Sequence, residues 1–262
     1  MRNTNGPGRR KFMKLSALSM SSLALPPFYK RAKNTVAVAT IQRKIKKRNV
    51  VCVGAHPGDP EFGCGGTMAK YSQAGDDVIF LYLTRGEAYD KKKSFSDAAA
   101  LRTKEAEKSC SILKARPVFA EQIDGNTELN SKQNENFTQL LLSLKPDVVF
   151  THWPIDAHTD HQVAGSLTLT TWLRSKKQFQ LYFYEVNTGS ETMGFTPTDY
   201  VDISAVLPLK EAAMFAHISQ EPLKVYEDFF KAMQSFRGLE KGVKAAEAFV
   251  HFPAETTTMP GL

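Results

Sequence analysis

Residues 49–85 read NVVCVGAHPGDPEFGCGGTMAKYSQAGDDVIFLYLTR, and this stretch decides the fold. Val50-Val51-Cys52-Val53 is an apolar, β-branched run, too short for a helix and suited to a buried strand. It ends in Gly54–Pro60, where two glycines and two prolines oppose further regular structure. Gly63, Gly65 and Gly66 then lead to an expected helix start at Thr67–Tyr71. Gly75-Asp76-Asp77 stops that helix, and Val78–Leu83 forms a second buried strand. Strand, turn, helix, strand is one βαβ unit, and open α/β sheets bind ligands at the carboxyl ends of their strands. His56 and Asp59 occupy that end of the first strand.

The same alternation continues downstream. Thr84–Glu87 follows the second strand, and Ser94–Ala115 has helical periodicity. Ala98, Leu101, Ala106, Cys110 and Leu113 form one broad face there, with Arg102, Glu105 and Lys108 on the polar side. Val118–Ala120 begins a third strand that runs to Asp124-Gly125, Asn134–Leu144 is a helix, and Pro146–Phe150 is a fourth strand. This strand delivers the chain into THWPIDAHTDH, residues 151–161. Gln162–Leu173 reads as a helix, Phe179–Val186 and Tyr200–Ile203 as strands, and Leu209–Phe249 as two helices around Gln220-Glu221-Pro222. The pattern predicts an α/β fold with a mostly parallel sheet covered by helices on both faces.

Charge is distributed unevenly. The chain carries a formal +7, yet residues 1–39 hold eight Lys/Arg and no acid; without those eight, 26 bases face 27 acids, a net of −1. The excess therefore gives no support for a nucleic-acid partner. Arg9-Arg10-Lys11-Phe12-Met13-Lys14 resembles a twin-arginine export signal, and Leu15–Phe28, diluted by serines, is too short and polar for a membrane span. Ala37-Val38-Ala39 offers a small-residue cleavage site. Residues 1–39 are thus expected to be an export signal to the periplasm or beyond, and residues 40–262 the functional domain. Three scattered cysteines, Cys52, Cys64 and Cys110, give neither a disulfide framework nor a thiolate metal site.

Two segments distant in sequence end predicted strands and carry metal-ligand residue types: His56 with Asp59, and His158 with His161. Two imidazoles and one carboxylate leave a position open for water, as in catalytic zinc sites. The same set also suits non-haem Fe(II). A third histidine beside such a site can polarise a carbonyl or protonate a leaving amine.

Ala55-His56-Pro57-Gly58-Asp59-Pro60-Glu61 with Gly65-Gly66-Thr67, and His158-Thr159-Asp160-His161, resemble the two paired motifs of the LmbE-like (PIG-L) N-acetylglucosaminyl deacetylases, usually AHPDD and HPDH. Weaker matches follow in order, among them Thr84–Glu87, Arg102–Glu105, Asp124-Gly125, His217–Gln220 and Ala246–Phe249. The resemblance spans about residues 48–250. It implies a Rossmann-like single domain with one zinc held by His56, Asp59 and His161. It also implies that His158 stabilises the oxyanion and protonates the amine, with Asp160 orienting or charging it. Arg102 and Asp124 match positions that hold sugar hydroxyls; the residues themselves equally allow an Arg102–Glu105 ion pair on the helix surface and a simple turn at Asp124.

One position departs from the family. Its general base, the first aspartate of the DD pair, is Gly58 here. Asp160, Asp156 or Glu61 is then the expected replacement, unless the metal-activated water attacks unassisted or the protein only binds a glycan. The leading expectation is an exported, metal-dependent amidohydrolase that removes acetyl from an N-acetylated sugar of the GlcNAc type. Its partner is a small-molecule or glycan substrate, with no nucleic acid and no stable membrane span in the mature chain. The alternative is a metal-containing, glycan-binding pseudoenzyme. A dinucleotide oxidoreductase fits poorly, because Met68 stands where GxGxxG needs its third glycine.

Overall fold

The computed structural model describes residues 47–89 and 92–252. The twin-arginine pattern and the boundary at residue 39 lie outside them. Seven strands form one sheet: β1 (Asn49–Gly54), β2 (Asp77–Tyr82), β3 (Arg116–Phe119), β4 (Val148–His152), β5 (Gln180–Tyr184), β6 (Asp199–Asp202) and β7 (Ala246–Phe252), in the order β3-β2-β1-β4-β5-β7-β6. Neighbours from β3 to β5 are parallel, and β7 runs antiparallel to both β5 and β6. The sheet is therefore mostly parallel, as the alternating pattern predicts.

Helices α1 (Asp59–Gln73), α2 (Phe95–Ile112), α3 (Ser131–Ser143), α4 (Thr159–Arg174) and α5 (Leu207–Met214) connect the strands. Side chains alternate across the pleat, so each strand feeds two cores. Cys52, Phe80, Tyr82 and Phe150 enter one core with Phe62 and Met68 of α1, Cys110 of α2 and Ala213 of α5. Val51, Ile79, Leu81, Val149 and Phe183 enter the other with Phe137 and Leu141 of α3 and Leu167 and Trp172 of α4. A strand buried on both faces reads as a continuous apolar run, which is why β1 and β2 were legible.

Three expectations need correction. First, α1 begins at Asp59, ahead of the glycines, because Pro60 sits in the first turn, where its missing N–H costs no helical bond. Gly63 lies inside α1 for packing: a Cβ there would sit 2.4 Å from Tyr184 Cδ2. The helix is broken locally at Cys64, which has non-helical angles of φ −143°, ψ 18°. Second, Ala98, Ala106, Cys110 and Leu113 are buried and Lys108 is exposed, as expected, but Arg102 and Glu105 of α2 are buried as well and Leu101 is exposed. Third, Ala246–Phe249 is not helical. It belongs to β7, and the tail's helices are α5, a short α6 (Pro222–Val225) and α7 (Lys231–Lys241), with a π turn at Tyr226–Phe230.

The decisive feature for function is that β1 lies beside β4. From β1 the chain proceeds to β2 on one side, and from β4 to β5 on the other. The crevice between the carboxyl ends of β1 and β4 is the switch point of the sheet, where open α/β folds place ligands.

Candidate active site

Two loops converge on that crevice, Ala55–Gly58 after β1 and Trp153–His158 after β4. The first runs directly into α1. Gly58 caps the helix at φ +113°, and Glu61, three residues on, reaches back so that Oε2 accepts from Gly58 N–H at 3.1 Å. Asp59 is thereby fixed as the first helical residue. In the second loop, His158 caps α4: its Nδ1 accepts from Asp160 N–H at 3.2 Å. The remaining ring nitrogen, Nε2, then carries the proton of the neutral ring.

His56, Asp59 and His161 form one triangle. Asp59 Oδ2 lies 3.2 Å from His56 Nδ1 and 3.4 Å from His161 Nε2. A tetrahedral ion with bonds of about 2.0–2.1 Å keeps its ligand atoms about 3.3–3.4 Å apart, so these three atoms fit a divalent cation. The outer nitrogens are held as well. His161 Nδ1 lies 3.1 Å from Asp156 Oδ1, and His56 Nε2 lies 3.1 Å from both Asp124 Oδ1 and Asp160 Oδ2. Such outer carboxylates fix ring orientation and leave the inner nitrogen facing the ion.

Electrostatics support the same reading. Burial by itself lowers the His56 pKa, yet Asp59, Asp124 and Asp160 outweigh it and raise it well above the ordinary histidine value. At His161 burial again opposes, and Asp59 with Asp156 push the ring up to about 9. Several acids thus compete for few protons, a negative potential that a cation relieves. His158 behaves differently: burial, His56 and His161 lower its pKa, so the ring is neutral near pH 7.

Both expected sugar-binding residues reach the site. Arg102 is buried, donates to Pro57 O and Gly86 O, and leaves its Nε unpartnered. Glu105 does not pair with it; its carboxylate accepts instead from Ser219 N and Oγ. Asp124 is more than a turn former, since Oδ2 accepts from Ala88 N–H while Oδ1 faces His56. His56, Asp59, Arg102, Asp124, His158 and His161 all line one cavity of about 490 Å³, within the range of small-molecule sites.

Asp160 holds the His158 ring through its backbone N–H, and its charge favours the protonated form of that ring, while its carboxylate faces His56, Thr127 Oγ1 and Gly125 N–H. None of the three carboxylates expected to replace the base is free. Asp156 accepts from His158 N–H and meets His161 Nδ1 and Thr192 Oγ1. Glu61 meets Tyr82 Oη, His217 Nε2 and Gly58 N–H.

Sequence reasoning missed His152. It ends β4, its Nε2 accepts from Ala55 N–H at 3.0 Å and lies 3.3 Å from Asp59 Oδ2, and its ring stacks on His161. Burial, then the neighbouring His161, lower it to about 4, so it is a neutral prop under the β1 loop. Its position at the end of a buried strand was the available signal.

The PIG-L model, described as GlcNAc-PI de-N-acetylase, matches residues 51–172. Diacetylchitobiose deacetylase of Thermococcus kodakarensis is 28% identical over 224 residues, covering 79% of this chain and 84% of that enzyme. The structure of N,N'-diacetylchitobiose deacetylase from Pyrococcus horikoshii superposes with a TM-score of 0.72 at 26% identity, over 80% of this chain and 85% of that one. A conserved protein from Thermus thermophilus gives 0.69 at 30% identity, over 80% of this chain and 97% of its own. With both paired motifs at the switch point of the sheet, the chain belongs to the PIG-L (LmbE-like) deacetylase family.

Proposed function

We propose that this protein hydrolyses the acetamide of an N-acetylated sugar of the GlcNAc type to acetate and a free amine. The observation that carries the reading is the His56–Asp59–His161 triangle, with edges of 3.2 and 3.4 Å, in a cavity that also holds His158, Arg102 and Asp124. A divalent ion at the triangle supplies Lewis acidity and lowers the pKa of a water molecule from 15.7 to about 7. Zinc suits two imidazoles and a carboxylate, and Fe(II) is the other candidate.

The remaining work falls to side chains. His158, with its proton on Nε2 and Nδ1 taken by Asp160 N–H, donates a hydrogen bond to the acetyl oxygen as negative charge develops there, and keeps that proton. Asp156 and Asp160 hold the rings of His161 and His56. Arg102 and Asp124, both in the cavity wall, take the sugar hydroxyls, Asp124 through lone pairs not used by His56 and Ala88.

Gly58 favours a second reading, a glycan-binding protein without turnover, since glycine accepts no proton. Release of free amine from a panel of N-acetylated sugars by the mature, zinc-supplemented protein separates the two. Amine release supports the deacetylase, and saturable sugar binding without release supports the binding protein. We further propose export through the twin-arginine route with residues 1–39 as the signal. Replacing Arg9 and Arg10 together by Lys is expected to retain the protein in the cytoplasm, and an unchanged distribution between cell fractions would exclude that route.

A further inference from the structure

The deacetylase reading leaves one proton without an acceptor. Attack of water on the acetyl carbon forms a C–O bond and breaks an O–H bond, and a general base that takes this proton contributes about 10²–10⁴-fold. Gly58 offers nothing. Glu61, Asp156 and Asp160 each have three hydrogen-bonding neighbours within the protein.

Among the described residues, the carboxylates lining the cavity are Asp59, Asp124 and Glu191. Asp59 belongs to the triangle, and Asp124 is engaged by His56 and Ala88. Glu191 lies on the loop between β5 and β6, half-buried at the cavity wall, in the electrostatic reach of His161 and Asp59. We infer that Glu191 accepts the proton of the attacking water in place of the carboxylate missing at position 58, an assignment that rests on the deacetylase reading above.

Three observations fit this role. The backbone around Glu191 is tied to the β4 loop that carries the histidines. Ala157 N–H donates to Glu191 O at 2.9 Å, and Thr192 Oγ1 lies 2.9 Å from Asp156 Oδ2, the group that orients His161. A base must be held in register with the reacting atoms, and these bonds couple it to them. Next, Asn187 lines the same cavity and its side chain holds the Glu191 carboxylate at the cavity wall. Finally, burial raises the Glu191 pKa, His161 opposes, and Asp59 and Asp156 add to the rise. A base whose pKa lies above the ordinary glutamate value holds a transferred proton better.

The atoms balance. Water gives its oxygen, with one hydrogen, to the acetyl carbon and its other proton to Glu191. The C–N bond breaks with its electron pair on nitrogen, which takes the proton that Glu191 received; the carboxylate is thereby regenerated, and His158 keeps its proton throughout.

The test compares the zinc-loaded parent with Glu191→Gln, Glu191→Asp and Glu191→Ala. Expected for Glu191→Gln are a kcat loss of about 10²-fold or more, a KM within a few-fold, unchanged zinc content and retained calorimetric binding of N-acetylglucosamine. The acid limb of the kcat–pH profile should disappear with it. Glu191→Ala should regain activity with added formate, and Glu191→Asp should retain part of it. Infrared difference spectra of parent against Glu191→Gln, recorded without metal, should show a carboxyl band titrating above the ordinary glutamate range. An active parent whose kcat and acid limb survive Glu191→Gln removes this inference alone. A parent that releases no amine at any pH removes the deacetylase reading and this inference with it.

Discussion

Asp156 Oδ1 lies 3.1 Å from Nδ1 of His161, which turns the other nitrogen of that ring to within 3.4 Å of Asp59 Oδ2. Asp156 is itself buried and held by Thr192 Oγ1 at 2.9 Å and His158 N–H at 2.9 Å. The orientation of one proposed ligand is thus set by a residue five positions before it in the chain. Asp156→Asn keeps the volume but removes the charge that fixes the ring. We expect a loss of about 10–100-fold in zinc affinity, measured by competition with a chromophoric chelator. Unchanged affinity would show that the β4 loop alone holds the ring.

The division of labour among the histidines is separable. His161→Ala or Asp59→Ala is expected to lose most of the bound metal, because each removes one of three donors. His158→Ala should keep the metal and lose activity, since its Nδ1 is bound to Asp160 N–H and its ring lines the cavity. Elemental analysis of the three purified variants decides this. Metal loss in His158→Ala with retention in His161→Ala would reverse the assignment.

Much of this site is written in short-range signals. β1 and β4 are apolar runs, each followed by a histidine-bearing loop, and their adjacency follows from the ordinary winding of a parallel sheet. The residues that hold the ligands in place are harder to read. His152 was hidden because a histidine ending a strand carries no spacing signature. Glu191 was hidden because it is 30 residues from His161 in sequence and reaches the cavity only through the β5–β6 loop. Arg102 and Glu105 resembled a helix surface, since helical periodicity counts apolar residues and cannot see Pro57 O, Gly86 O or Ser219 as buried partners. The strand β7 was hidden for a related reason: Ala246-Glu247-Ala248 has weak β propensity, and Glu247 is buried because Gly66 N–H, Thr67 N–H and Lys210 Nζ satisfy it.

Close packing behind the site gives a stability prediction. Gly165 of α4 faces the end of β4, and a Cβ there would lie 2.7 Å from His152 O, a backbone atom with little room to move. Gly165→Ala should push α4 outward and lower stability by about 1–3 kcal/mol, read as a fall in Tm. Metal affinity should fall with it, because α4 carries His161 in its first turn. A variant as stable as the parent would mean that the helix has slack against the sheet.

The last prediction concerns Gly58. By family pattern alone, restoring aspartate there should return a base to the site and raise hydrolysis. The backbone argues otherwise. Gly58 has φ +113°, ψ −42°, a conformation that side-chain-bearing residues rarely adopt, and a Cβ would point at Phe62 Cε2, 3.3 Å away, and His217 Cγ, 3.9 Å away. Strain of this kind costs about 1–3 kcal/mol, and a carboxylate there would also crowd Glu61, which already anchors Gly58 N–H. Gly58→Asp and Gly58→Ala should therefore lose stability by similar amounts in thermal melts. Neither should exceed the parent in kcat, and the metal should be held more weakly as the neighbouring Asp59 shifts. A rise in kcat approaching about 10²-fold for Gly58→Asp, with no rise for Gly58→Ala, would be the signature of a restored base. It would mean that the loop relaxes to present the new carboxylate and that Glu191 is not the main acceptor of the proton. Combining Gly58→Asp with Glu191→Gln resolves the two cases: inactivity of the double variant assigns the base to Glu191, and full activity assigns it to position 58.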